Sequence, residues 1–269
     1  MKVKDTAMGI AIALLLLTVM AVILLGGTAH TPSAGIRPLA EFYLKHCINV
    51  YNTTWWTSSP AAVTSMLWDY RGIDTYYETS VFFLAIIGGV ALFRIAEVKL
   101  KAENEGGGRE LGLSIIVKTS TRITFPLILI VSVSIALHGH LNPGGGFQAG
   151  SILAVCPLLL IASFSRRYLE DRLELSRAKC IALFTAGLVL IALVAALPLA
   201  IGGALMQNQP KHWSPKSPWE LLTKIGPFEL SGTIFFLDIA ELLAVGFGFT
   251  LLFLLLSMPE KEFKRLLGL

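Results

Sequence analysis

The hydrophobic positions of this chain are grouped into long blocks rather than spread at the spacing of a soluble core. Each of six blocks holds about 20 mostly apolar residues, the length that an α-helix needs to cross the hydrocarbon layer of a membrane. The predicted spans are Met8–Gly27, Tyr76–Ala96, Thr119–Leu137, Phe147–Phe164, Ala178–Leu205 and Leu230–Ser257. The pattern therefore predicts an all-α integral membrane protein with six transmembrane helices.

The first block follows Lys2 and Lys4, as the apolar part of a secretory signal peptide would. Its apolar run is longer than the roughly 7–15 residues that are usual in signal peptides. We therefore favour a membrane anchor that is retained over a signal peptide that is removed.

The positive charges between the blocks predict the orientation of the chain. With a cytoplasmic N-terminus, 16 of the 22 Lys and Arg residues fall on the inner side, in agreement with the positive-inside rule. Both termini are therefore predicted to be cytoplasmic, and the protein is expected to be a multi-pass protein of the cell membrane, surrounded by the lipid bilayer. The net charge of +4 forms no basic stripe interleaved with aromatic residues, so we expect no nucleic-acid partner.

The composition agrees with a membrane protein and argues against a cofactor. Hydrophobic residues make up 54% of the chain and charged residues 15%, whereas about a quarter of the residues in soluble domains are charged. Cys47, Cys156 and Cys180 are too scattered for a disulfide framework or a zinc site. We therefore expect no cofactor and no bound metal.

A short segment rich in charged residues and glycine divides the chain. Residues 104–111 include three consecutive glycines and have the composition of a flexible linker. They separate a two-span part, residues 1–103, from a four-span part, residues 112–269. Such a seam is what a fusion of two smaller subunits would leave.

Two acidic residues in the last predicted span are the strongest candidates for chemistry. Asp238 and Glu241 are three residues apart, so they share one face of a helix. An ionised carboxylate at the centre of a membrane costs about 2.5–3.5 kcal/mol on insertion scales. The pair either handles protons or cations, or is a structural pair satisfied by backbone groups or by a lysine of a partner.

A second charged cluster precedes the second predicted span. It contains Asp69, Arg71, Asp74 and Glu78, and the spacing of three and four residues would allow pairing on one helical face. One interpretation is an ion-pair cluster that orients the helix at the membrane surface. The other is a cation-attracting mouth, because three carboxylates surround a single arginine.

A glycine-rich hairpin connects the third and fourth predicted spans. Its polar and turn-forming residues are His138, His140, Asn142, Pro143, Gly144, Gly145, Gly146 and Gly150. Asn-Pro initiates turns and glycine supplies positive-φ geometry, while the histidines could titrate near neutral pH but form only a weak metal site. A G-x-G-x-x-A match to dinucleotide-binding motifs lacks the strand that this motif requires. We therefore favour a structural turn over a ligand site.

These motifs resemble a known family. The stretch Gly139–Gly150 resembles the hallmark of the B subunit of Mrp-type multisubunit sodium/proton antiporters, and Ile116–Arg122 and Phe236–Asp238 are similar to that family's first and last spans. Separately, Asp69–Thr75 with Glu78 looks like the C-terminal segment of the large A subunit. Two features depart from the family: Tyr77 stands where the A-type segment has glycine, and Glu241 has no acidic counterpart in the ordinary B subunit.

The resemblance implies an accessory subunit of an Mrp-type cation/proton antiporter module, within a larger ion-translocating respiratory complex. Archaeal membrane-bound hydrogenase and sulfane reductase are such complexes, so their subunits and other antiporter subunits are the expected partners. By itself the chain is expected to be no enzyme and to have no catalytic residues. Two alternatives stay open: a structural scaffold that links antiporter-like and redox modules, and a stand-alone transporter of small solutes.

Overall fold

The computed structural model describes residues 3–24, 35–47, 56–101, 113–211, 224–225 and 228–257. Helices make up most of these residues and divide between two compact units, Met1–Phe42 and Tyr43–Leu269. The helices are α1 (Val3–Val22), α2 (Pro38–His46), α3 (Ala62–Ser65), α4 (Gly72–Lys101), α5 (Ile115–His138), α6 (Gly146–Ser163), α7 (Arg166–Arg172), α8 (Arg177–Ala196) and α9 (Thr233–Leu256). A π-helical turn, Met66–Tyr70, precedes α4, and a 3₁₀ turn, Leu197–Ile201, extends α8.

Two very short strands, β1 (Lys224–Ile225) and β2 (Phe228–Glu229), pair in antiparallel fashion before α9. The predicted linker at 104–111 lies outside the described residues, and so do the basic residues at the C-terminus. The division of the chain at this linker therefore stays a prediction.

Four described helices are long and apolar enough to cross a membrane. They are α5, α6, α8 with its 3₁₀ extension, and α9, and they coincide with the last four predicted spans. The first two predicted spans also fall on helices, α1 and α4. Over their described residues, however, these two helices are not apolar over a long enough stretch to count with the other four. The prediction of a helical multi-pass membrane protein is confirmed, while the number of six spans stays a prediction.

Helix α9 forms the centre of the second unit. Of its most apolar 18-residue window, 61% is buried, whereas the corresponding value for α5 is 17%. Its mostly apolar sequence packs against α6 on one side and α8 on another. The two acidic residues of α9 therefore lie in the interior of the unit rather than on its outer surface.

Glycines allow α9 to approach its neighbours closely. A Cβ atom at Gly187 of α8 would lie 2.7 Å from the carbonyl oxygen of Ala240, and a Cβ atom at Gly150 of α6 would lie 2.7 Å from the Cβ of Val245. Side chains at these two positions would push the helices apart. The sequence thus permits backbone contacts at the level where α9 carries its acids.

Aromatic rings fix α4 against this core. The Phe82 ring packs edge-on against Phe184 of α8 and Phe249 of α9, with centroid distances of 6.1 and 5.1 Å. Such edge-to-face arrangements are the preferred geometry of aromatic pairs. Because Glu78 lies one turn before Phe82, this packing holds its backbone beside the two helices.

Candidate functional site

A cavity of about 220 Å³ lies where the π-helical turn, α4, the start of α6 and α9 meet. Three of the sequence-predicted acids line it: Glu78, Asp238 and Glu241. Trp68 and Gln148 are also part of its wall. The fold therefore brings candidates from two distant parts of the sequence into one site.

Asp238 lines this cavity and is fully buried. Its Oδ1 atom accepts hydrogen bonds from the indole Nε1 of Trp68 at 3.1 Å and from the backbone N of Gly146 at 3.4 Å. Its Oδ2 atom is buried and has no hydrogen-bond partner within the described part of the chain. A buried carboxylate oxygen without a partner is costly and therefore marks a place where function can outweigh stability.

Glu241 lies one helical turn further along α9 and is 6% exposed. Its Oε2 atom accepts a hydrogen bond from the backbone N of Phe147 at 3.0 Å. Both acids of α9 are thus held by consecutive amides at the start of α6. Two side chains of α9 thus cap the N-terminus of α6.

The glycine-rich hairpin makes this arrangement possible. Gly145 has a φ of 139°, a conformation that favours glycine, and supplies no side-chain cap to α6. A Cβ atom at Gly146 would lie 2.6 Å from the Cβ of Glu241. Because the first amides of a helix have no partners within the helix and carry partial positive charge, these glycines let two carboxylates reach them directly.

Glu78 lines the cavity and is exposed. It therefore marks the mouth of the cavity, the side that opens to the surface of the chain. Phe147 and Gln148, which also line the cavity, are exposed as well. Exposure of the carboxylates thus decreases from Glu78 through Glu241 to Asp238. The cavity leads from the surface of the chain to a fully buried acid.

The rest of the predicted charged cluster lies elsewhere. Arg71 and Asp74 form an exposed ion pair of 2.5 Å. Asp69 forms a buried ion pair of 2.7 Å with Lys211, and the same lysine donates to the backbone oxygen of Trp56 at 2.7 Å. Burial raises the pKa of Asp69, and the attraction of Lys211 opposes this shift.

The two predicted histidines contribute to the hairpin rather than to the cavity wall. His138 is exposed at the end of α5, where its Nδ1 lies 2.8 Å from the backbone oxygen of Ser134. His140 is buried against Phe235, with ring centroids 5.5 Å apart. Its backbone oxygen accepts a hydrogen bond from the Ser59 hydroxyl at 2.5 Å, which fixes the segment before α3 to the hairpin.

Sequence reasoning did not identify Trp68 or the amides of α6 as site groups. Trp68 is separated from Asp238 by 170 positions, and nothing local indicates that its indole faces an acid. The amides did leave one signal: the apolar block after Gly144 and Gly145 begins without the Ser, Thr, Asp or Asn that usually caps a helix. A helix that lacks its own cap requires partners from elsewhere in the fold.

A profile of the family described as "Domain related to MnhB subunit of Na+/H+ antiporter" matches residues 116–251. This stretch covers half of the chain and includes the hairpin and both acids of α9. The B subunit of the Na(+)/H(+) antiporter of Alkalihalophilus pseudofirmus is 35% identical over 68 residues, which are 25% of this chain and 47% of that protein. A putative antiporter subunit mnhB2 of Staphylococcus haemolyticus is 27% identical over 98 residues, which are 36% of this chain and 67% of that protein.

The chain thus spans about half the length of the first of these relatives. Two solved structures extend the similarity to nearly the whole fold. A chain of the membrane-bound sulfane sulfur reductase, an archaeal respiratory membrane complex, is 28% identical with a TM-score of 0.56, covering 93% of this chain and 97% of that chain. A longer chain of the Mrp complex from Dietzia sp. shares the fold alone, with 19% identity and a TM-score of 0.57 over 96% of this chain and 26% of that one.

Proposed function

This chain belongs to the family of domains related to the MnhB subunit of Na+/H+ antiporters, and from that premise we propose that it works inside an Mrp-type cation/proton antiporter module. The module is part of a larger ion-translocating respiratory complex in the cell membrane. Support comes from the sulfane sulfur reductase chain, which is similar over almost the full length of both chains. The expected partners are other antiporter subunits together with the redox subunits of the same complex, and the chain itself catalyses no redox step.

We further propose six membrane spans with both termini in the cytoplasm. Helices α1 and α4 supply the first two spans, and the positive-inside distribution of Lys and Arg supports the orientation. Residues 1–103 resemble the C-terminal region of the antiporter A subunit, and residues 112–269 resemble the B subunit. The glycine-rich linker at 104–111 joins the two parts.

The contribution of this subunit is an ion route through its acidic cavity. Glu78 receives ions at the surface, and Glu241 and Asp238 carry them into the interior of the unit. Asp74, one turn before Glu78 on α4, adds negative charge outside the mouth, although Arg71 pairs with it. The observation that carries the proposal is a fully buried carboxylate, with one oxygen lacking a partner in the described structure, in the wall of a cavity.

Amide substitutions in the assembled complex test this route. Asp238→Asn and Glu241→Gln keep size and the ability to accept the α6 amide bonds, but they remove the charge. In inverted membrane vesicles, each substitution is expected to abolish the sodium-dependent change of the pH gradient, followed with a pH-sensitive dye. Glu174→Gln is the matched control, because Glu174 is a surface acid, 79% exposed and distant in sequence from the cavity.

A structural scaffold is the second candidate, and the capping of α6 by both acids favours it. A scaffold predicts that the same substitutions reduce assembly of the complex on a native gel. Transport would then fall only in proportion to the loss of assembled complex. Loss of transport by fully assembled complex supports the ion route. Full transport by assembled Asp238→Asn complex contradicts it.

A further inference from the structure

We infer that the acidic cavity conducts protons through water and does not bind a dehydrated sodium ion. This inference rests on the proposed function, because it names the ion that the route takes. The protons pass from Glu78 at the mouth to Glu241 and then to Asp238.

The atoms closest to the buried carboxylates are hydrogen-bond donors. Trp68 Nε1 and Gly146 N donate to Asp238, and Phe147 N donates to Glu241 at 3.0 Å. Each donor directs a partial positive charge at the carboxylate oxygen that it contacts, which makes that oxygen a poorer ligand for a bare cation. The start of α6 adds the positive end of the helix dipole, which weakens the attraction of the two carboxylates for a bare cation.

The described residues also show no ready-made coordination shell for a bare cation. A cation that loses its water needs several oxygens in its place, as in the carbonyl rings of ion filters. In the described part of the chain, no group of three or more His, Cys, Asp or Glu side chains is arranged to hold a metal ion.

Water and protons fit the same space. About 220 Å³ holds several water molecules, and a buried water needs two to four polar partners. Glu78 from α4, Glu241 and Asp238 from α9, and the Gln148 amide supply them. The charged side chains that the described structure places in the wall are the three acids, and the π-helical turn and α6 contribute none.

The transfer step needs no coordination shell. An O–H bond of a hydronium ion at the mouth breaks, and its proton forms a new O–H bond with a carboxylate oxygen of Glu78. The proton neutralises Glu241 and passes through water to Asp238, whose Oδ2 has no hydrogen-bond partner in the described residues. The proton leaves when a water molecule accepts it and becomes hydronium. This step breaks the carboxyl O–H bond and returns each carboxylate to its starting state, so charge and atoms balance.

Infrared spectroscopy of the intact complex in lipid nanodiscs distinguishes proton binding from sodium binding. Acidification is expected to produce the carbonyl band of protonated carboxyl groups equally in sodium chloride and in choline chloride at the same ionic strength. Asp238→Asn and Glu241→Gln should each remove part of this band, while Glu174→Gln should leave the components that these two variants lose unchanged. Displacement of the band by sodium in the wild type, but not in the two variants, would overturn the inference.

Binding of radioactive sodium to the same preparations gives an independent result. We expect the same amount of saturable binding to the wild type, Asp238→Asn and Glu241→Gln complexes. Loss of one bound sodium per complex in either variant would overturn the inference while leaving the proposed ion route intact. The proposed function fails in a different way, when the variants transport normally in vesicles.

Glu78→Gln keeps the test decisive if the buried variants do not assemble. Glu78 is exposed at the mouth, so its replacement disturbs no packed interior. This variant should slow proton entry and leave sodium binding unchanged. Slowed transport together with reduced sodium binding would contradict a proton route.

Discussion

At the scale of single residues, the proposed route gives the acids of α9 a second task besides accepting hydrogen bonds. Asp238 accepts two hydrogen bonds through Oδ1, while Oδ2 lies where a Cβ on Gly139 would approach it to 2.8 Å. Glu241 accepts an amide through Oε2. One oxygen of Asp238 thus holds the local structure, and the other is available for a proton.

Trp68 positions Asp238, and its replacement by Phe tests this role. Trp68→Phe removes the indole donor and leaves Oδ1 with the longer 3.4 Å bond from Gly146. A hydrogen bond to a charged group is worth about 1.5–3 kcal/mol, so we expect a loss of stability of this order and slower transport. Thermal unfolding of the complex in detergent and the vesicle assay measure the two effects.

The control for this substitution is Trp56→Phe, which changes the other described tryptophan at a position outside the cavity wall. It should leave vesicle transport unchanged. A Trp68→Phe complex that is as stable and as active as this control would show that the indole bond does not position Asp238.

At the scale of elements, the N-terminus of α6 is capped by side chains of α9. Apolar blocks of sufficient length predicted α5, α6, α8 and α9 correctly, because a membrane-spanning segment must satisfy its backbone bonds within one helix. The same pattern could not predict that α6 begins at amides capped by Asp238 and Glu241, since capping by another helix is a tertiary contact. The sequence predicts that the hairpin glycines form a turn, and the structure adds a reason for two of them, the positive φ of Gly145 and the close approach of Gly146 to Glu241.

Close contact between α6 and α9 should be necessary for the site. Gly150→Ala places a Cβ 2.7 Å from the Cβ of Val245 and 2.9 Å from the backbone N of Gly246, both on α9. Overpacking of this kind costs about 1–3 kcal/mol. Since the two helices must separate, we expect weaker capping of α6, a lower unfolding temperature and reduced transport.

Gly88→Ala on α4 is the matched control, because a Cβ there meets nothing within 4 Å. It should preserve the unfolding temperature and the rate of transport in vesicles. Equal behaviour of the two alanine variants would mean that the α6–α9 contact has room for a methyl group.

At the scale of the whole molecule, the cavity belongs to both parts of the chain that the sequence distinguishes. Trp68 and Glu78 come from the part before the predicted linker, and the α6 amides and the acids of α9 come from the part after it. Sequence motifs could identify each set, because each has its own local pattern. They could not show that the sets meet, since the contacts that join them link residues 75 to 173 positions apart.

The ion pair between Asp69 and Lys211 is one of the bonds that join the two parts, and it predicts a pH-dependent defect. Burial raises the pKa of Asp69 above its ordinary value of 3.8, and Lys211 opposes the shift. Lys211→Met removes that opposition, so the pKa rises further. Above this pKa the folded protein holds an unpaired buried carboxylate, which costs about 3–5 kcal/mol.

The sign of the effect follows from proton binding. A carboxyl group whose pKa is higher in the folded than in the unfolded state destabilises the fold as pH rises through the two values. Thermal unfolding of the Lys211→Met complex should therefore approach that of the wild type in acid and fall below it towards neutral and alkaline pH. Adding Asp69→Asn should remove most of this pH dependence, because no carboxylate is left to ionise.

Arg71→Met provides the comparison with an exposed pair. Arg71 and Asp74 lie only three residues apart at the surface, and exposed pairs contribute about 0–1 kcal/mol. The unfolding temperature of the Arg71→Met complex should therefore differ little from that of the wild type at any pH. If Lys211→Met behaves like Arg71→Met, then the buried pair does not hold the two parts together, and the position of Trp68 beside Asp238 must depend on the hydroxyl contacts of Ser59 and Thr64 with the hairpin.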